Sequence, residues 1–218
     1  MPNLPDPTVL IGLMLVIALL PFAAVVASSY IKIVVVLYLV RNALGVQTIP
    51  PNLAVNGLAI ILSIYIMTPI ASSMYDRLTE PGLDIANIES PETQQAIAES
   101  LTPIKDFLLK HSSEKERDFF ATTTKKIWPE DTAASVDSEH MLVLLPSFTT
   151  SQLTSAFQIG FLIYLPFVVI DLIISNILLA MGMMMVSPMT ISLPFKLLLF
   201  VVADGWTKLI HGLVLTYQ

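Results

Sequence analysis

The chain has 218 residues, 55% of them hydrophobic and 13% charged, with a mean hydropathy of +0.76. Ordinary globular domains carry about 25% charged residues, so this composition belongs to a membrane or membrane-assembled protein. The absence of cysteine excludes disulfides, thiol catalysis and thiolate metal sites, and the scattered His111, His140 and His211 offer no metal centre.

The net charge of −6 is not spread along the chain. Between Asp76 and His140 stand 14 acidic against 7 basic residues, while the rest holds only Asp6, Asp171, Asp204, Lys32, Arg41, Lys196 and Lys208. The expected architecture is all-α. An N-terminal apolar helical block covers 1–75, an acidic helical insert 76–140, and a C-terminal apolar helical hairpin 141–218. No basic patch points to nucleic acid, and no glycine-rich phosphate loop or Ser/His/Asp set points to a cofactor or an enzyme.

The first residues, MPNLPDP, lack the positive charge of a secretory signal. The apolar run after them therefore reads as retained, although Val25-Val26-Ala27 weakly resembles a cleavage site. As one helix, Thr8 to Leu44 would reach about 55 Å, nearly twice the hydrocarbon thickness of a bilayer. Either Pro21 divides it or it continues inside a protein assembly. Asn42 and Gly45 form a stop, with Arg41 suited to the helix dipole. Pro50-Pro51-Asn52 restarts the chain into a helix over about 53–74, whose Ala54, Gly57, Ala59 and Ser63 suit close helix packing.

In the insert, Ser90-Pro91-Glu92 opens one helix, and Pro103 begins a second that ends at Lys110-His111. Ser113 to Glu116 reads as a capping box for a third, which Trp128-Pro129 stops. Phe119, Phe120, Ile127 and Trp128 are its expected buried face, and the charges read as solvated surface.

After Leu142 the chain becomes apolar again, with an expected span over 159–182 and a last helix over 194–216. Between them, residues 177–196 read ILLAMGMMMVSPMTISLPFK, with five methionines between Met181 and Met189. Pro188 and Pro194 argue for irregular backbone, yet nothing here is charged before Lys196. Lipid cannot satisfy irregular backbone, which survives at membrane depth only inside protein or against a watery cavity. Methionine is flexible and polarisable. Met183, Met184 and Met185 therefore read as a soft constriction lining a pore, against the blander reading of gap-fillers in a helix core.

Asp171 and Asp204 stand in apolar surroundings on either side of this stretch. A hairpin centred near Ser187 would put them at similar depth, and two close carboxylates sharing a proton are aspartyl-protease chemistry. Against that, Lys208 lies four residues after Asp204 in the favourable order, and Lys32 or Lys196 could neutralise Asp171. Broken helices also mark secondary transporters of small solutes, but the first half offers no matching break. Lys32 and Arg41 place their side of the first two blocks in the cytoplasm and the insert outside.

The stretch LLPSFTTSQLTSAFQIGFLIYLPFVVIDLIISNILLAMGMMMVSPMTISLPFKLLLF, DGW at 204–206, RNALGVQTIPPN at 41–52 and the GLAIILS after it resemble the FliP/SctR family. This family supplies the core export-gate subunit of bacterial type III secretion systems. The single Pro188 after Ser187, and the N-terminus without a signal, resemble the injectisome branch more than the flagellar one. Gln152 stands where some relatives carry an acid. The resemblance implies a homo-oligomeric ring of five such subunits in the bacterial inner membrane, whose periplasmic side the basic residues above give to the insert. It also implies small hairpin subunits and one related single-copy subunit as partners, and unfolded secretion substrates as cargo. Met183, Met184 and Met185 match the family's methionine gasket. Much of the apolar surface would then be covered by neighbouring subunits.

Overall fold

The computed structural model describes residues 7–46, 48–79 and 91–218. Ten helices are assigned among the described residues, without any strand. They are α1 (Pro7–Val26), α2 (Tyr30–Ala43), α3 (Asn52–Leu78), α4 (Pro91–Ser100), α5 (Thr102–His111), α6 (Glu114–Ile127), α7 (Glu130–Ala133), α8 (Met141–Ala180), α9 (Pro188–Val202) and α10 (Gly205–Leu215).

The long first apolar block is broken, but not at Pro21, which lies inside α1. The break falls after Val26, where α1 and α2 meet at 58°. Proline removes one donor and clashes with one carbonyl, and helices in apolar surroundings tolerate it where neighbouring groups re-satisfy the backbone. The last apolar block departs from expectation in the same way. The helix read over 194–216 is two helices, α9 and α10, meeting at 60° about Ala203-Asp204.

α2 is the helix the others cover. Ile33, Val36, Leu37 and Val40 lie at its buried core, packed mainly by α8 and α3. Contact between α2 and α8 is close enough that a methyl group at Gly160 would collide with the side chain of Leu39. Of the small residues of α3, Ala59 and Ser63 are buried, whereas Ala54 faces outward and Gly57 has open space beside it.

α8 spans 40 residues, about 60 Å at 1.5 Å per residue and twice the thickness of a hydrocarbon core. The expected span over 159–182 is therefore only its second half. The moderately polar SFTTSQL stays helical because its hydroxyls bond back one turn: Ser147 to Val143 O (2.6 Å), Thr149 to Leu145 O (2.8 Å) and Ser151 to Ser147 O (2.7 Å). Among the described residues, two helices are long and apolar enough to cross a membrane, or up to four if each bent pair counts as one span. Only a small share of the apolar window of α3 or α8 is fully buried within the chain.

The insert docks on the first half of α8 through α5 and α6. Ser90 lies outside the described residues. The Ser113 side chain makes no cap bond; instead its N–H donates to Ser151 Oγ of α8 at 2.8 Å, so tertiary packing replaces the local box. Arg117 caps the end of α5, donating to the carbonyls of Leu109 (3.1 Å) and Ser112 (2.7 Å). Phe119 and Ile127, expected inside, are exposed, and Thr124 is the buried residue of α6.

One polar junction stitches insert to apolar core. Gln152 Nε2 donates to His111 O at 2.7 Å, and the Tyr217 hydroxyl donates to Gln152 Oε1 at 2.7 Å. The Tyr217 ring meets His111 edge-on at 5.0 Å and carries Lys32 Nζ 4.1 Å from its centroid. Burial, then the charges of Lys32 and Lys110, lower the His111 pKa to about 4. The native imidazole is thus neutral where the unfolded chain begins to bind a proton, near pH 6.5. Its contribution to stability is complete above about pH 6.5 and falls away as pH drops toward about 4. Thermal unfolding in detergent from pH 7.5 to 4.5 should therefore lower the wild-type Tm more steeply than that of H111Q. Parallel curves would contradict this assignment.

Candidate functional site: the methionine turn and its anchoring ion pair

Sequence pattern fixes the end of α8 through glycine. Gly182 takes φ +74°, the left-handed conformation that costs glycine nothing. It closes the helix in a Schellman cap, with Gly182 N–H donating to Leu179 O (3.0 Å) and Met183 N–H to Leu178 O (2.9 Å). Val186 N–H then donates to Met183 O at 3.3 Å, closing a tight turn whose two central residues are Met184 and Met185. Pro188 follows at the first helical position of α9, where a missing donor is free of penalty.

Solvent exposure follows this geometry. Met183 is 42% exposed, Met184 81% and Met185 99%. Pro194, expected to break the chain, lies inside α9, so the irregular backbone is confined to 181–187. One proline therefore starts a helix here and the other is absorbed by one.

The hairpin register also differs from a centre near Ser187. Because α8 ends at Ala180, Asp171 meets Ser192 and Lys196 rather than residue 203. Lys196 Nζ lies 2.6 Å from Asp171 Oδ2 and 3.3 Å from Ala43 O, the C-terminal residue of α2. Ser192 Oγ donates to Asp171 Oδ1 at 2.6 Å. Lys196 is 3% exposed and Ser192 fully buried, whereas the Asp171 side chain keeps 34% exposure. This cluster joins α2, α8 and α9 beside the methionine turn.

Asp204 and Lys208 do not pair through their side chains. Asp204 adopts φ 54° at the break between α9 and α10, so the regular i,i+4 relation is lost for its carboxylate. That carboxylate accepts from Thr207 Oγ1 at 3.0 Å, and only the backbone N–H of Lys208 reaches Asp204, at its carbonyl (3.1 Å). The two aspartates thus have separate partners, and among the described residues no hydrogen bond joins them. The Asp204-Gly205 dipeptide was the local signal for this break. Gly205 is also held by packing, since the Phe200 ring occupies the space a Cβ would need.

Lys32 and Arg41, the remaining cations of the apolar blocks, are buried in α2. Lys32 reaches Thr216 Oγ1 (3.4 Å); Arg41 donates to Asn52 Oδ1 (2.6 Å) and Pro50 O (3.3 Å). Sequence reasoning missed Gln152, His111 and Tyr217 as a junction, for their separations of 41 and 65 residues leave no local signature.

The Lys196–Asp171 pair gives a direct test. Removing one partner of a buried pair costs roughly 3–5 kcal/mol, whereas replacing both by apolar groups is often neutral. D171N should destabilise the protein by about 3 kcal/mol in denaturant titrations in detergent, with D171L/K196M recovering most of the loss. A double variant no more stable than D171N would contradict the pairing.

The FliP family profile matches residues 13–213. The chain is 56% identical to the "Yop proteins translocation protein R" of Yersinia pestis, over 99% of this chain and 98% of that protein. It is 48% identical to the "Virulence protein YscR" of Salmonella typhimurium, over 99% and 100%. It is 47% identical to the "Hypersensitivity response secretion protein HrcR" of Ralstonia nicotianae, over 96% of each chain. With a family profile over nearly its whole length and full-length relatives at about half identity, the chain belongs to the FliP family.

Proposed function

We propose that this protein is a pore-forming subunit of a type III secretion export gate in the bacterial inner membrane. It conducts unfolded protein substrates and seals the conduit with Met183, Met184 and Met185 when none is present. One observation carries the reading. Three adjacent thioethers stand on a tight turn, two of them largely exposed, in a molecule whose long helices carry mostly apolar surfaces. A backbone turn of this kind belongs inside protein or against a water-filled space, and not against lipid. Rings of flexible, polarisable side chains can pack together and part around a passing chain with little penalty. A narrow apolar constriction also resists ions by dewetting.

Assembly follows from the surface. The lengthwise apolar faces of α3 and α8 have little cover from their own chain, and α8 exceeds a bilayer's needs. Neighbouring copies in a homo-oligomer, a pentamer by family resemblance, supply that cover together with small hairpin subunits and one related single-copy subunit. The translocation, secretion and virulence roles in the relatives' names support the same reading. The acidic insert lies on the periplasmic side in this proposal. That side follows the basic residues Lys32 and Arg41, which the fold buries within α2 and not in a loop.

Replacing Met183, Met184 and Met185 together by alanine should raise ion leak through the reconstituted gate while its oligomeric mass stays unchanged. Wild-type conductance in a correctly assembled triple variant would overturn the gasket role.

A further inference from the structure

We propose that the three methionines are not equivalent: Met184 and Met185 carry most of the seal, and Gly182 is the positioning residue that, through the Met183 backbone, aims them. This inference rests on the pore reading above. Met183 is committed through its backbone at both ends, its N–H to Leu178 O and its carbonyl to Val186 N–H. It is the hinge pin between the helix cap and the turn. Met184 and Met185 occupy the two central positions of that turn, where neither side chain is enclosed by its own subunit, at 81% and 99% exposure.

Gly182 sets the direction in which the turn leaves α8. A Cβ at this position would meet nothing within 4 Å, so crowding is no reason for glycine here. Its φ of +74° is the reason, since L-residues other than asparagine and aspartate rarely hold that conformation. An alanine there would fit the space and strain the backbone. Relief of that strain would unmake the Gly182–Leu179 and Met183–Leu178 bonds and turn the methionine pair away. Asparagine tolerates the left-handed region and should preserve the cap.

The experiment measures ion leak through the whole reconstituted gate, with oligomeric mass recorded for each variant. G182N should seal like wild type, and M183A should leak far less than M184A/M185A. M184A/M185A should lose the seal as completely as the triple alanine variant, and G182A should lose it with every methionine still present. An M183A gate that leaks as much as M184A/M185A, or a G182A gate as tight as G182N, would overturn the inference. Should G182A fail to assemble, M183A against M184A/M185A decides alone. A tight triple variant would instead overturn the pore reading itself, so the two failures are distinguishable.

Discussion

One buried ammonium group holds the apolar part of the molecule in register. Lys196 on α9 reaches the carboxylate of Asp171 on α8 and the carbonyl of Ala43 at the end of α2. In apolar surroundings an ion without a partner is too costly to leave in place, so the pair dictates which turns of the two hairpin helices face each other. It places the hairpin's centre near Met183–Met184 and lets the chain between Ala180 and Pro188 turn freely outward. A slip of one helical turn would leave Lys196 buried beside no acid. The methionine turn is thus positioned by a charge pair and shaped by a glycine cap.

Around that anchor the subunit is unfinished by the standards of a globular protein. Its best-covered helix, α2, is enclosed, while the outer faces of α3, α8 and α9 present isoleucine, leucine and phenylalanine to the surroundings. Surfaces of this extent mark interfaces or lipid contact. A bilayer alone accounts for only half the length of α8, and the polar contacts of its first half go to the insert and the C-terminal segment. The insert is therefore tied by Gln152, His111 and Tyr217 to the helix that carries the turn.

Much of this was legible in the residues. Hydropathy marked the apolar blocks, charge marked the insert, and Gly45, Trp128-Pro129 and the methionine run marked ends that exist in the structure. Proline was the weaker guide. Pro21, Pro146, Pro166 and Pro194 all lie inside helices, because one lost hydrogen bond is small against the burial and backbone satisfaction that a long apolar helix gains. Glycine was the better signal at Gly182, where the required backbone angle leaves few substitutes without strain. The register of the hairpin was hidden, since helix length decides which residue faces Asp171 and periodicity does not. Contacts such as Gln152 with Tyr217, 65 residues apart, are a product of the fold and have no local trace.

The central claim is that the methionine turns of several copies meet around one shared aqueous path. Because the chain contains no cysteine, a single cysteine replacing Met185 would report directly on its neighbours in the assembled gate. Mild oxidation should join copies of this subunit through residue 185, in yields that a cysteine replacing the outward-facing Leu53 does not reach. Residue-185 cysteines that stay monomeric in an intact assembly would place the turns apart from one another and contradict the account.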